Sequence, residues 1–263
     1  MRGWRKIIIL VMLLIFAAGL SVFLYPYIQG AIADHEMKER AQEVLEWIES
    51  ERTRPDTVTT PDQEETLPEV SQRDHMELWE AMIVYNKTIW EQRQSGLCDP
   101  WAYEQPSFTL VDYGLEDEAI GVLTIPAIDL EMPVYLGADY DHMAAGAAHL
   151  SQTSLPIGGI NTNCVIAGHR GWRGASYFRY ITDLQPGDTV YITNLWETLA
   201  YTVTGTKIIN PNDVEDILIQ PGKDMLTLLT CHPYASGGKQ RYVVYCERDY
   251  EYTANETEVQ KAN

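Results

Sequence analysis

Three segments late in the chain place reactive side chains at the ends of apolar runs. The run 164–167 leads through a glycine into His169. The run 225–229 ends two residues before Cys231, and Arg241 begins the next run. A cysteine thiolate can attack an acyl carbon, an imidazole can transfer protons near neutral pH, and a guanidinium can stabilise an oxyanion. Together these residue types predict acyl transfer through a thioester, although each of them alone is more often structural.

The elements that must position these residues are short strands. From about residue 121 onward, apolar or alternating runs are separated by Pro-Gly, Gly-Asp and Asn-Pro turn signals. Many short strands with little helix between them predict a β-barrel or sandwich. Because antiparallel neighbours meet at one sheet edge, we expect Cys231 and Arg241 to lie side by side. The predicted strands are 121–125, 132–135, 164–167, 189–193, 200–207, 225–229 and 242–246.

The amino terminus has the pattern of a membrane anchor. The run 7–25 contains no charged residue, and at about 1.5 Å per residue it nearly matches the roughly 30 Å of a bilayer core. Arg2, Arg5 and Lys6 precede it, which predicts a cytoplasmic amino terminus and an extracytoplasmic remainder in a single-pass protein of the cell membrane. A cleaved signal peptide is the alternative, because small residues lie within 17–21.

Two amphipathic helices and a linker are predicted between the anchor and the strands. Residues 32–51 and 73–94 carry apolar residues at helical spacing. Residues 52–72 are rich in Pro, Thr, Asp and Glu and are predicted to form an exposed linker. In the second helix we expect one stripe to face the core: Met76, Trp79, Ile83 and Trp90.

The composition limits the partners and the redox chemistry. The chain has 38 acidic and 19 basic residues, for a formal net charge of −19. A nucleic-acid partner is not expected, because phosphate binding needs Lys and Arg to displace counterions. Four cysteines in 263 residues are too few for a disulfide-dense scaffold. One disulfide among Cys98, Cys164 and Cys246 stays open, although the strand-like settings of the last two favour buried thiols.

Several motifs resemble those of the sortase family. Residues 226–231 match the sortase Thr-Leu-x-Thr-Cys signature at Thr227, Leu228, Thr230 and Cys231. The Gly-His-Arg-Gly stretch 168–171 is similar to the sortase histidine loop, and residues 146–159 resemble the corresponding sortase segment. Arg241 follows the cysteine at the interval of the sortase arginine. The resemblance covers roughly residues 119–250 and implies that Cys231, His169 and Arg241 are catalytic.

Within that family the chain is most similar to class C, the pilin-polymerising sortases. Asp99-Pro100-Trp101 matches the lid motif of that class, which implies that Trp101 covers Cys231 and that Asp99 pairs with Arg241 in a closed state. The glycine-rich segment 232–240 departs from the usual class C sequence. The chain also ends in a polar tail, where class C members usually carry a second membrane span.

The resemblance also implies an architecture. The fold would be mostly β, a closed eight-stranded barrel with amino-terminal helices and one transmembrane helix. Four regions follow: residues 1–30 as cytoplasmic flank and transmembrane anchor, residues 31–118 as a helical region with linker and lid, residues 119–250 as the catalytic barrel, and residues 251–263 as a polar tail.

The implied reaction joins a protein that bears an LPxTG-like sorting signal to an amine. Cys231 would form the thioester, Arg241 would stabilise the oxyanion or position the substrate, and His169 would protonate the leaving amine. A pilin lysine would then resolve the thioester, and no metal or organic cofactor is required. Two alternatives stay open: a wall-anchoring sortase that uses a cell-wall peptide amine, and a non-catalytic surface module in which these residues are structural.

Overall fold

The amino-terminal half begins with one long helix. A computed structural model describes residues 2–53, 75–103, 106–115, 119–172, 174–235 and 237–252. Helix α1 (Arg2–Thr53) is unbroken and passes through Pro26, whereas separate elements were predicted for 7–25 and 32–51. The apolar run is exposed, while the later part of the helix packs on the barrel through four buried residues: Met37, Ala41, Val44 and Ile48. One helix therefore has a lipid-compatible half and a half that packs on the protein core.

The second helix, α2 (Met76–Glu91), lies in a different phase from the one predicted. Met76 and Ile83 are exposed, and the buried stripe consists of Leu78, Met82, Asn86 and Ile89. Trp79 of the predicted stripe is half-buried and packs on the core, so the prediction was wrong in the helix phase and not in every residue. The apolar pattern missed that the buried stripe includes a polar residue. The Asn86 amide accepts a hydrogen bond from the Leu155 nitrogen (2.7 Å) and donates one to the Leu155 oxygen (3.3 Å). Most of the predicted linker, residues 54–72, lies outside the described residues.

Within the described residues, eight strands close into a barrel, as predicted. Their spatial order is β1-β2-β3-β4-β7-β8-β6-β5. The mostly-β description fits this barrel but not the whole chain, since α1 alone has 52 residues. A short helix, α3 (Tyr140–Ala145), joins β2 to β3. The strands are β1 (Ala119–Ile125), β2 (Leu130–Leu136), β3 (Ala147–His149), β4 (Thr162–Ala167), β5 (Thr189–Asn194), β6 (Thr198–Ile209), β7 (Asp224–His232) and β8 (Gln240–Arg248).

Strands β4, β7 and β8 lie side by side and bring the candidate residues to one end of the barrel. β4 runs parallel to β7, with Ala167 opposite Leu229, and β7 runs antiparallel to β8, with Cys231 opposite Arg241. Every residue of β4 and the first seven of β7 are buried. Side chains of these strands alternate between two separate buried clusters. A one-residue slip would exchange the two sets, so their packing fixes the strand register and the positions of the strand ends.

Candidate active site

Cys231 and Arg241 are neighbours across the β7–β8 register. One guanidinium nitrogen of Arg241, Nη1, lies 3.8 Å from the Cys231 sulfur. The same nitrogen donates hydrogen bonds to the carbonyl oxygens of Gly238 (2.7 Å) and Gln240 (3.0 Å). Gly238 has a φ of +71°, and a Cβ built on it would lie 3.2 Å from the Cys231 sulfur. The loop between β7 and β8 therefore closes tightly over the thiol and aims the guanidinium at it.

Two residues of the predicted lid segment contact the Arg241 guanidinium. Asp99 forms a bidentate ion pair with Arg241, with Nε–Oδ1 and Nη2–Oδ2 distances of 2.6 Å each. The Trp101 ring lies over the same guanidinium, 4.4 Å from its central carbon. Pro100 is buried in the short 3₁₀ turn that these residues form. The Nε and Nη2 donors held by Asp99 are therefore not available to another acceptor in this structure.

His169 follows the end of β4 and is buried among aromatic rings. Its imidazole stacks on Trp172, with a centroid distance of 4.4 Å and an interplanar angle of 12°. Trp101 and Tyr177 approach edge-on at 6.4 Å and 6.1 Å. Its Nε2 atom is buried and makes no hydrogen bond to any residue that the structure describes. The ring is thus held largely by stacking.

Burial sets the protonation of both reactive groups. It raises the pKa of the Cys231 thiol, Arg241 opposes that rise, and the Asp99 carboxylate adds to it. Burial also lowers the pKa of His169. Both pKa shifts favour a neutral thiol and a neutral imidazole in this arrangement. The protonation states of Cys231 and His169 could not be predicted from the sequence, because they depend on how deeply the two side chains are buried and on the position of Asp99.

Arg170 belongs to the site and was noted in the sequence only as part of a motif. Its Nη1 donates to His232 Nδ1 (2.8 Å) and contacts the Cys231 carbonyl oxygen at 3.5 Å. Its Nη2 donates to the Thr182 hydroxyl at 3.4 Å. Like Arg241, it acts to lower the pKa of Cys231. A basic residue directly after a histidine at a buried strand end was the available signal, but its partners depend on where the loops run.

The signature residues around the cysteine tie β7 to β4. The Thr230 hydroxyl donates to the Gly168 carbonyl oxygen (2.7 Å), and the Thr227 hydroxyl donates to the Asn163 side chain (2.8 Å). Leu228 is fully buried. These contacts fix the strand that ends in Cys231 against the strand that leads to His169.

Among the described residues, no group of three or more His, Cys, Asp or Glu side chains is arranged to hold a metal ion.

Comparisons with known proteins identify the family of the chain. The family model for the sortase domain matches residues 123–249. Sortase D of Bacillus subtilis (strain 168) is 32% identical over 133 residues, which span 50% of this chain and 64% of that protein. The crystal structure of Streptococcus pneumoniae sortase C is 33% identical, with a TM-score of 0.66 over 82% of this chain and 99% of that one. Sortase C1 of Streptococcus agalactiae in complex with MTSET is 30% identical, with a TM-score of 0.64 over 71% of this chain and 95% of that one.

These matches confirm the family resemblance. The chain belongs to the sortase family of cysteine transpeptidases. The solved structures described above are class C enzymes, whereas the curated relative is a sortase D.

Proposed function

We propose that the chain joins a protein bearing an LPxTG-like sorting signal to the side-chain amine of a pilin lysine. The observation that carries this proposal is the pairing of Asp99 with Arg241 beside the Cys231 thiol. In this arrangement Cys231 is the nucleophile, Arg241 is the oxyanion donor, and the segment that carries Asp99 is the cover. The likeness to the S. pneumoniae sortase C, whose structure was described in terms of pilin substrate specificity, supports the choice of acceptor.

The first half-reaction forms the thioester. The Cys231 thiolate attacks the carbonyl carbon of the Thr–Gly bond, and the oxyanion that develops accepts hydrogen bonds from Arg241 once Asp99 has released it. The C–N bond breaks while the His169 imidazolium gives its proton to the leaving glycine nitrogen. The carboxy-terminal part of the sorting signal departs, and the acyl group stays on the sulfur.

The second half-reaction transfers the acyl group to the amine. The neutral lysine nitrogen attacks the thioester carbon, and His169, now neutral, accepts the proton that the nitrogen loses. The C–S bond breaks, Cys231 leaves as a thiolate, and an isopeptide bond remains. The resting neutral pair must ionise before the first half-reaction, so opening of the lid and activation of the thiol are linked.

We further propose that the anchor and the regions along the chain are arranged as the sequence predicts. The exposed apolar run of helix α1 is long and apolar enough to span a membrane. Residues 1–30 would anchor a cytoplasmic amino terminus, residues 31–118 would carry the lid, residues 119–250 would catalyse outside the cell, and residues 251–263 would form the tail.

A second acceptor deserves its own test. Transfer to a cell-wall peptide amine is the alternative, since the relative from B. subtilis is a sortase D and not a sortase C, and so does not itself support a pilin acceptor. The same Cys231 thioester serves either acceptor, so the two functions differ only in the second half-reaction.

Mass spectrometry on the full chain in detergent tests the proposal. The chain is mixed with a Leu-Pro-x-Thr-Gly peptide and either a pilin peptide containing the acceptor lysine or a wall-peptide amine. We expect an acyl adduct on Cys231 that converts to a lysine isopeptide product. Conversion with the wall amine alone would contradict the pilin assignment, and no adduct even with Asp99→Ala would contradict the transpeptidase proposal for these substrates.

A related prediction concerns Trp172. Trp172→Leu keeps an apolar cover over His169 but removes the π face that stabilises the imidazolium. We expect kcat to fall roughly 2- to 30-fold, which corresponds to about 0.5–2 kcal/mol, with little change in KM. The limb of the pH–rate profile that reports His169 should shift to lower pH. Trp172→Phe is the matched control and should restore most of the rate. A Leu variant with the wild-type profile would show that the ring has no such role.

A further inference from the structure

The loop that follows His169 touches α1 just beyond the apolar run. A Cβ built on Gly30 would lie 2.8 Å from the carbonyl oxygen of Gly174, so the two backbones are in direct contact. One turn further along α1, the Asp34 carboxylate accepts hydrogen bonds from the backbone nitrogen (2.6 Å) and the hydroxyl (2.8 Å) of Ser176. These contacts fix the catalytic end of the barrel to the part of α1 nearest the proposed membrane span.

Helix geometry gives the height of this contact above the bilayer core. Gly30 lies five residues beyond Tyr25, or about 7.5 Å along the helix axis. The headgroup region on each side of a bilayer is about 5–8 Å thick, taken as half the difference between the total thickness and the hydrocarbon core. The first charged residue after Lys6 is Asp34. The loop 174–176 therefore lies at or just above the lipid headgroups.

An exposed patch of one arginine and two tyrosines adjoins this loop. The Arg179 guanidinium carbon lies 4.6 Å from the centre of the Tyr234 ring and 5.8 Å from the centre of the Tyr180 ring. Tyr234 is 49% exposed and Tyr180 is 44% exposed. Tyrosines with a basic residue between them are typical of the membrane–water interface, where the rings sit among the headgroups.

Two contacts place this patch on the side of the barrel that faces the membrane. Tyr180 lines a cavity of about 440 Å³ together with Ala31 and Asp34 of α1. A Cβ built on Gly171, in the loop after His169, would lie 3.4 Å from the Tyr234 ring. The patch is thus continuous with the contact between the loop and α1.

We propose that Arg179, Tyr180 and Tyr234 rest on the outer surface of the membrane and bind anionic lipid headgroups. This interaction rests on the membrane anchoring proposed above. Arg179 supplies a positive charge in a chain with a net charge of −19, so its guanidinium offers anionic headgroups a cationic partner on a face that also carries acidic side chains of α1 and β2. Binding there holds the catalytic end of the barrel against the bilayer.

Hydrogen exchange on the full chain tests the inference. The protein is measured in nanodiscs that contain phosphatidylglycerol, in nanodiscs of phosphatidylcholine alone, and in detergent. We expect the backbone of 174–182 and 232–235 to exchange at least about fivefold more slowly in the anionic nanodiscs than in detergent. Residues 214–224 end at the first residue of β7, which is the opposite end of the strand from Cys231. They should exchange equally in all three media. Equal exchange of 174–182 in every medium, while 7–25 is protected, would overturn the proposal.

A pair of variants separates the membrane contact from the chemistry. Arg179→Glu combined with Tyr180→Ser should lose the protection in anionic nanodiscs but keep turnover of a soluble peptide in detergent, because neither residue lies in the loop that covers the thiol. Lys87→Glu, a charge reversal on the exposed side of α2, is the matched control and should keep both. Persistent protection in the double variant would contradict the inference. Protection by the wild-type chain without any peptide turnover would support the patch and contradict the proposed function instead.

Discussion

Replacement of Cys231 by alanine should abolish the thioester and reduce turnover by about 10⁴-fold or more. The proposed reaction has no other nucleophile, so removing the sulfur removes the covalent route and leaves only substrate binding. The full chain is incubated with the sorting-signal peptide and a lysine donor, the adduct is followed by intact mass, and the isopeptide product is followed by chromatography.

Cys246→Ala is the matched control for this experiment. Cys246 is fully buried in β8, and burial raises the pKa of its thiol, so it is not expected to react. Its replacement should leave the turnover within about threefold of the wild type, on the general expectation for a small change in a core side chain. Turnover that survives Cys231→Ala, or an adduct found on another cysteine, would contradict the proposed nucleophile.

Replacement of Asp99 by alanine should speed the modification of Cys231 by a bulky thiol reagent. The two charge-assisted hydrogen bonds between Asp99 and Arg241 hold the closed state, and at about 1.5–3 kcal/mol their loss predicts a roughly 10- to 150-fold faster reaction. Trp101→Ala should change the rate in the same direction, because it removes the ring that covers the guanidinium.

The same variant should also shift the pH dependence of labelling. Burial and Asp99 both raise the pKa of the Cys231 thiol, so an open lid without Asp99 lowers that pKa and moves the labelling profile to lower pH. Asp112→Ala, at an exposed acidic residue in another 3₁₀ turn, is the control and should leave rate and profile unchanged. Labelling that does not respond to Asp99→Ala at any pH would show that the segment does not limit access to the thiol.

Local patterns predicted a barrel or sandwich and the types of the reactive residues, and the family resemblance selected the closed barrel. Short apolar runs and turn signals identified seven strands, but β3 (Ala147–His149) has only three residues, too few for a period to be recognised. The predicted buried face of α2 was wrong because Asn86 is buried, where its side chain accepts a hydrogen bond from the backbone nitrogen of Leu155. A hydrophobic pattern cannot reveal such a tertiary hydrogen bond.

Contacts between loops could not be predicted from local patterns. The pairing of Asp99 with Arg241 was predicted only from the family resemblance, since the two residues are 142 positions apart in the sequence. The stacking of Trp172 on His169 and the contacts of Arg170 with His232 depend on the path of the loop after β4. The proposed catalytic roles stay predictions until the variants are measured.

The unbroken course of α1 from the apolar run to the barrel limits where the enzyme can work. In the proposed membrane arrangement, the unbroken helix leaves no flexible joint between span and barrel. The thiol would keep a nearly constant height above the lipid and would sample new partners only by sliding and turning in the plane of the membrane. For partners that are themselves embedded in the same leaflet, the collision rate would depend on how many lie per unit of area, and their concentration in the surrounding fluid would matter little.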